Sequence, residues 1–132
     1  MIVLDASAVV AVLLGPGPEA ERIRERIERP GESLHVPHLM DLEVLHALRR
    51  QALRGTLSPR RSVEALEDLA SIMFVRYPHT SLVERIWELK ENLTAYDAAY
   101  VALAEALDAP LVTMDARLVQ APGHNAAVEL YR

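Results

Sequence analysis

The sequence predicts a single α/β domain with a mainly parallel central sheet flanked by helices. Short aliphatic segments alternate along the chain with longer amphipathic ones, as strands alternate with helices in such domains. The chain has 132 residues, enough for one substantial core, and its 51% hydrophobic and 5% aromatic content makes that core aliphatic. No repeat or linker divides residues 1–132. The order of the strands is not readable from the sequence.

The first half of the chain alternates between two aliphatic segments and four helical ones. In order, these are a strand at residues 2–4, helices at 7–14 and 19–29, a strand at 34–36, and helices at 39–54 and 58–72. Gly-Pro-Gly-Pro ends the first helix, and Ser58 before Pro59 caps the last one. Gly55 is the predicted C-cap of the helix at 39–54. The side of this helix predicted to face the core carries Leu42, Leu45, Leu48 and Ala52.

The second half repeats the alternation with three strands and two helices. These are a strand at residues 73–75, helices at 81–93 and 94–108, a buried strand at 111–113 and an edge strand at 126–130. Ser81 and Glu84 predict a capping box for the first of these helices. Thr94 and Asp97 indicate a similar start for the second, which Ala-Pro ends.

Three aspartates stand where predicted strands end or a helix begins. Asp5 and Asp115 follow strands, and Asp97 lies in the first turn of a helix. The carboxyl ends of parallel strands and the facing helix starts converge on one crevice. Each aspartate alone could be an ordinary cap or turn residue. Together they would repel one another without a cation, so the leading hypothesis is a divalent metal site.

Other residues leave alternatives open at this point. Asp41 and Glu43 begin the long helix on different faces, and their spacing does not decide which one reaches the crevice. Polar residues next to the acids, each with a local hydrogen-bonding role as the alternative, are Ser7, Asn92 and Thr113.

An arginine-rich stretch interrupts an otherwise acidic chain. The net charge is −5, yet residues 44–63 contain five arginines and no acid. Arginine suits phosphate, so Arg49, Arg50 and Arg54 are candidate RNA contacts. A solvated helix face is the alternative.

Composition also excludes several classes of protein. Without cysteine there are no disulfides and no zinc–thiolate sites. The longest apolar stretch, residues 6–14, is too short to span a bilayer and lacks the basic start of a signal peptide. We therefore expect a cytoplasmic protein with no membrane partner. The only lysine, Lys90, lies on a predicted helix, which disfavours HAD-like or receiver-type phosphoryl transfer.

Four segments carry a more specific pattern in a fixed order. They read VLDASA at residues 3–8, EVLHALRR at 43–50, NLTAYDAAYVALA at 92–104 and LVTMDARL at 111–118. The chain resembles PIN-domain ribonucleases and, among these, the VapC-type toxins of toxin–antitoxin pairs. The TAYDAAY segment is the most specific part of the resemblance, and the opening aspartate motif is the least specific.

The resemblance implies a metal-dependent endoribonuclease that hydrolyses RNA as the toxin of a type II pair. It selects Glu43 over Asp41 as the fourth acid. It further implies that Mg²⁺ or Mn²⁺ is held by Asp5, Glu43, Asp97 and Asp115. Ser7, Asn92 and Thr113 fall at supporting polar positions of the family.

The sequence differs from the family pattern at two places, and the resemblance also implies several partners. His46 stands where many relatives carry asparagine, and residues 117–118 supply no further acid, so a second metal has less support than the first. The implied partners are a tRNA, rRNA or mRNA substrate, a VapB-type antitoxin and a second copy of the chain. A catalytically silent RNA- or protein-binding PIN module is the alternative function.

Overall fold

Five short parallel strands form the centre of the structure, a computed structural model that describes residues 1–132. They are β1 (Ile2–Leu4), β2 (Leu34–Pro37), β3 (Phe74–Tyr77), β4 (Leu111–Thr113) and β5 (Val128–Leu130). Their order across the sheet is β3-β2-β1-β4-β5, and each neighbouring pair is parallel. The α/β prediction with a parallel sheet is confirmed, and β5 lies at an edge as predicted.

Seven α-helices connect and cover the strands. They are α1 (Ala6–Leu14), α2 (Pro18–Ile27), α3 (Leu39–Leu53), α4 (Pro59–Ser71), α5 (Val83–Glu88), α6 (Ala95–Leu107) and α7 (Ala116–Gln120). Since crossovers between parallel strands are right-handed, α1 to α4 lie on one face of the sheet and α5 to α7 on the other. No helix is both long and apolar enough to cross a membrane.

The two central strands, β1 and β4, are where the direction of the chain across the sheet reverses. From β1 the chain moves to β2 and then β3, whereas from β4 it moves the other way to β5. Helices that leave such neighbours on opposite faces open a crevice at the carboxyl ends of the strands. Asp5 directly follows β1, and Asp115 lies two residues after the end of β4. The topology therefore places both aspartates at the crevice.

The core is aliphatic, and α6 contributes a large share of it. Residues 98–104 of this helix are all buried, and four of these seven are alanines. Small side chains allow α6 to approach β1, β2 and β4 closely. Ile2, Val3 and Leu4 of β1 are buried on both faces of the sheet, as expected for a central parallel strand.

Local capping explains where several helices begin and end. The side chain of Ser58 accepts a hydrogen bond from the N–H of Arg61 at the start of α4. Thr94 accepts one from the N–H of Asp97 in the first turn of α6. Arg54 is the C-cap of α3, and Gly55 follows it with a φ of 78°, a conformation that glycine adopts without strain. The predicted caps of α4 and α6 are confirmed, whereas α3 ends one residue earlier than predicted, so that its C-cap is Arg54 and not Gly55.

The predicted helix at residues 81–93 is wrong in its start and its length. Thr80–Leu82 forms a 3-10 turn, so Ser81 lies inside that turn and not at a helix N-cap. Helix α5 begins at Val83 without a side-chain cap and already ends at Glu88. The capping box of Ser81 and Glu84 does not form.

The predicted core face of α3 is correct for Leu48 and wrong for its other three residues. Leu42 and Leu45 are 70% and 41% exposed, and Ala52 is exposed as well. The buried residues of this helix are Met40, Val44 and Leu48. The helix carries two apolar stripes, and the sequence periodicity fits both.

Strand β3 begins at Phe74, one residue later than predicted, and Met73 before it is 90% exposed.

Candidate metal centre

A cavity of about 1010 Å³ opens at the carboxyl ends of β1 and β4. Its lining includes Asp5 after β1, Asp115 after β4, Asp97 in the first turn of α6, and Glu43 on α3. These four acids come from four separate segments of the chain. The structure therefore brings all four of the predicted metal ligands to one cavity.

Asp5 is the most buried and most firmly held of these acids, with only 6% of its surface exposed. Its Oδ1 accepts hydrogen bonds from the Ser7 hydroxyl at 2.6 Å and from the N–H of Ala8 at 3.0 Å. Its Oδ2 accepts one from the Thr113 hydroxyl at 2.5 Å. Burial raises the pKa of Asp5, and the two hydroxyl donors partly oppose that rise.

Ser7 and Thr113 fasten the end of β4 to the end of β1. Each hydroxyl donates its single proton to Asp5 and accepts a backbone N–H. Ser7 accepts from Met114 at 3.0 Å, and Thr113 accepts from Asp115 at 2.9 Å. The two predicted supporting residues thus set the relative position of Asp5 and Asp115.

Glu43 is half-buried and bound by a tyrosine from α6. The Tyr100 hydroxyl donates to Oε1 of Glu43 at 2.7 Å. Burial raises the pKa of Glu43; the Tyr100 hydrogen bond opposes that rise, and the nearby charges of Asp97 and Asp5 add to it. Burial likewise raises the pKa of Tyr100, so the hydroxyl stays protonated and remains a donor.

Asp41 takes a different position from Glu43. Both of its oxygens bind Arg76, at 2.6 and 2.9 Å, and Asp41 does not line the cavity. The geometry therefore separates these two acids, which the spacing alone could not do.

Asp97 and Asp115 face the cavity with opposite electrostatic character. Burial raises the pKa of Asp97, which Arg117 opposes and Asp115 reinforces. Asp115 has its pKa lowered, chiefly because the Arg117 side chain binds it. The Nε of Arg117 lies 3.0 Å from both oxygens of Asp115, and Nη2 lies 2.5 Å from Oδ2. Arg117 thus forms an ion pair with Asp115, whereas no basic side chain forms one with Asp97.

The donor set suits a hard divalent cation. Four carboxylates offer only oxygen donors, the ligands that Mg²⁺ and Mn²⁺ prefer. Three of them have raised pKa values because burial and neighbouring carboxylates disfavour the charged form. No three acidic or histidine side chains converge closely enough to hold an ion in this arrangement. Binding of an ion therefore requires the acid side chains to come closer to one another than they are in this arrangement.

The remaining predicted site residues divide into two groups. Arg50 on α3 and Arg54, the C-cap of that helix, line the cavity about one helical turn apart, and neither forms an ion pair. Arg49 is exposed on the same helix but does not line the cavity. Asn92 also lies outside the lining, and its amide donates to the carbonyl of Pro122 at 3.1 Å. The structure therefore does not bring Asn92 beside the acids.

Among the lining residues that were not predicted as site residues are two tyrosines and an arginine close in sequence to the acids. Tyr100 lies three residues after Asp97, hence on the same face of α6, which is the signal that could have identified it. Arg117 lies two residues after Asp115 and directs its guanidinium back to it. Tyr96 lines the cavity with 63% of its surface exposed.

Comparison with known proteins identifies the family. The PIN domain matches residues 2–123. Ribonuclease VapC1 of Mycobacterium tuberculosis is 46% identical over 132 residues, covering 98% of this chain and 97% of that protein. Ribonuclease VapC9 of the same organism is 49% identical over 118 residues, covering 89% and 88%. The Rickettsia felis VapBC2 structure, solved bound to a promoter DNA fragment, matches with a TM-score of 0.72 at 15% identity and covers 100% of both chains. The chain belongs to the PIN-domain family and, within it, to the group of the VapC ribonucleases.

Proposed function

We propose that this protein is a divalent-metal-dependent endoribonuclease and the toxin of a type II toxin–antitoxin pair. One observation carries the proposal: Asp5, Glu43, Asp97 and Asp115 line a single cavity at the point where the sheet topology reverses. Similarity to VapC ribonucleases over nearly the whole chain supports the same substrate class.

In this proposal the four acids hold one Mg²⁺ or Mn²⁺. Such an ion, when bound, supplies positive charge to the phosphodiester and makes a water molecule more acidic. Asp5 is the fixed member of the set because Ser7 and Thr113 hold both of its oxygens. Tyr100 holds one carboxylate oxygen of Glu43 by a hydrogen bond. Glu43 is thereby positioned to orient the attacking water and to help hold the ion. Water, and not the ribose 2′-hydroxyl, attacks the phosphorus, so the products carry 5′-phosphate and 3′-hydroxyl ends.

Binding of RNA is assigned to the wall of the cavity that α3 forms. Arg50 and Arg54 are exposed, without an ion pair, and on one face of the helix. We propose that they contact RNA phosphates, with Arg49 contributing from the adjoining surface. The net charge of −5 makes this local basic surface the natural docking site for a polyanion. We also propose a cytoplasmic location, where RNA substrates are available.

The proposed protein partners follow from the same family. The solved VapBC2 complex of Rickettsia felis is a relative of this fold, and we propose that this chain binds a VapB-type antitoxin and forms a homodimer. The exposed apolar side chains Leu42 and Leu45 on α3 are available for such contacts.

Cleavage of RNA by the purified chain tests the proposed function. Activity should require Mg²⁺ or Mn²⁺ and disappear with EDTA. Alanine at Asp5, Glu43, Asp97 or Asp115 should each lower the rate by on the order of 100-fold or more, and combined variants should lose little further, because the acids act as one unit. A 2′-deoxy substitution at the cleaved position should leave cleavage intact.

Asp41→Ala is the matched control, because Asp41 lies two residues from Glu43 but binds Arg76 outside the cavity. It should cleave at close to the wild-type rate. Full activity in all four acid variants would refute the metal-dependent mechanism. Growth arrest by variants that cleave nothing would indicate instead a catalytically silent RNA- or protein-binding module.

A further inference from the structure

Arg117 is the only basic side chain that binds one of the four acids of the cavity. The guanidinium of Arg117 binds both oxygens of Asp115, and the backbone N–H of Arg117 donates to Oδ1 of Asp115 at 2.9 Å. The side chain is nevertheless 77% exposed. An ion pair so open to water is weakly held, and a stronger cation can replace it.

The position of Arg117 makes its charge matter to more than one acid. It opposes the rise in the pKa of Asp97 as well as lowering that of Asp115. Asp5 and Glu43 have no basic partner, only hydroxyl and backbone donors. Of the four acids, Asp97 and Asp115 are therefore the two whose negative charge Arg117 compensates.

A divalent cation bound by the acids would weaken the ion pair between Arg117 and Asp115. Arg117 contacts both oxygens of Asp115, so an ion bound by Asp115 competes with it for the same carboxylate, and two nearby positive charges repel each other. Arg117 has a long flexible side chain that is 77% exposed, and it lines the same cavity as Arg50 and Arg54. Its planar group can then bind the oxygens of a phosphate in a bidentate manner.

We propose that Arg117 is an exchangeable counter-charge, which competes with the divalent cation for Asp115 and, once displaced, binds an RNA phosphate at the edge of the cavity. This inference rests on the proposed function and adds a substrate-binding residue to it. Arg117 would then take part in both metal binding and RNA binding. The acid site would then be neutralised by Arg117 or by the ion, and RNA would meet a free arginine only in the second case.

Calorimetric titration with Mn²⁺ tests the first half of the proposal. Arg117→Ala should bind Mn²⁺ roughly two- to fivefold more tightly than the wild type, the change expected when an exposed competing ion pair is removed. Arg76→Ala is the matched control, because Arg76 forms the same two-oxygen pair with Asp41 outside the cavity. It should bind Mn²⁺ like the wild type. Equal or weaker binding by Arg117→Ala would overturn the competition.

RNA cleavage at saturating Mn²⁺ tests the second half. Arg117→Ala should raise KM for RNA by about tenfold with a smaller effect on kcat, and it should reduce the salt dependence of RNA binding by about one phosphate contact. Arg76→Ala should change neither quantity. If the wild type binds Mn²⁺ and cleaves RNA while Arg117→Ala matches Arg76→Ala throughout, the role of Arg117 is refuted and the nuclease stands. A wild type that neither binds Mn²⁺ nor cleaves RNA refutes both.

Discussion

Asp41 and Glu43 illustrate how side chains two positions apart on a helix acquire different chemistry. Asp41 lies at the surface with Arg76, which compensates its charge. Glu43 points into the cavity, where burial raises its pKa and Tyr100 holds one oxygen. A compensated surface acid has no need of a cation, whereas a half-buried acid near other carboxylates does.

Tyr100→Phe should loosen Glu43 without altering the packing of α6. Phenylalanine fills the same buried space, and the variant loses only the hydrogen bond to the carboxylate. We expect the free energy of unfolding to fall by about 1–2 kcal/mol and the Kd for Mn²⁺ to rise several-fold. Denaturant unfolding and calorimetry measure the two quantities.

Tyr96→Phe provides the comparison for this experiment. Tyr96 also lines the cavity, but it is 63% exposed, and no hydrogen bond of its hydroxyl is present in the structure. Its stability and Mn²⁺ affinity should stay near those of the wild type. Indistinguishable behaviour of Tyr100→Phe and Tyr96→Phe would show that the Tyr100 hydroxyl does not position Glu43.

Individual site residues were predictable where the chain itself marks them. Asp5 and Asp115 follow strands and Asp97 starts a helix, so position alone made them candidates. Glu43 needed the family resemblance, because helix spacing did not separate it from Asp41. Its contact with Tyr100 joins residues 57 positions apart, and a pairing across the fold leaves no local pattern in the sequence.

At the scale of helices and strands, the same division between local and distant causes holds. The starts of α4 and α6 were predicted because each is set by a cap within three residues. The buried side of α3 was not, because Met40, Val44 and Leu48 and the exposed Leu42 and Leu45 both have helical spacing. Packing against α1 and α4 decides which stripe is buried.

His35 on β2 gives the paired strands a dependence on pH. Its ring nitrogens bind the hydroxyls of Tyr77 on β3 and of Ser33, at 2.7 and 2.8 Å. Burial lowers the pKa of His35 in the folded protein; the Met1 ammonium adds to this, and Glu32 opposes it. The unfolded chain therefore takes up the proton first as the pH falls. This contribution to stability is complete above the unfolded pKa of about 6.5 and is lost below it.

The prediction is that His35→Gln reduces the stability lost between about pH 7.5 and about pH 5.5, measured by urea unfolding. His79 is the matched control, because it is exposed and its side chain forms no hydrogen bond. Over the same fall in pH, the His79→Gln variant should lose as much stability as the wild type loses. Identical pH profiles for the wild type and His35→Gln would contradict this role of His35.

At the scale of the whole molecule, the order of the strands determines where the chemistry can occur. The sequence predicted a parallel sheet, but strands of three or four residues contain too little information to specify their neighbours. Once β1 and β4 are adjacent, their carboxyl ends and the start of α6 bring three aspartates together, and α3 adds Glu43. The convergence expected in general terms from the sequence thus depends on a pairing that only the fold supplies.

The change in melting temperature on adding Mn²⁺ tests most directly whether these four acids form one divalent-cation site. The wild type should gain several degrees in millimolar Mn²⁺ and return to its starting value with EDTA, because an ion bound only by the folded state stabilises it. Glu43→Gln and Asp97→Asn should lose most of the gain, whereas Asp41→Asn should retain it. Without the ion, Asp97→Asn should melt above the wild type at neutral pH, since burial disfavours the charged carboxylate. A wild-type melting temperature that does not respond to Mn²⁺, or an equal loss of response in Asp41→Asn and Glu43→Gln, would contradict the site.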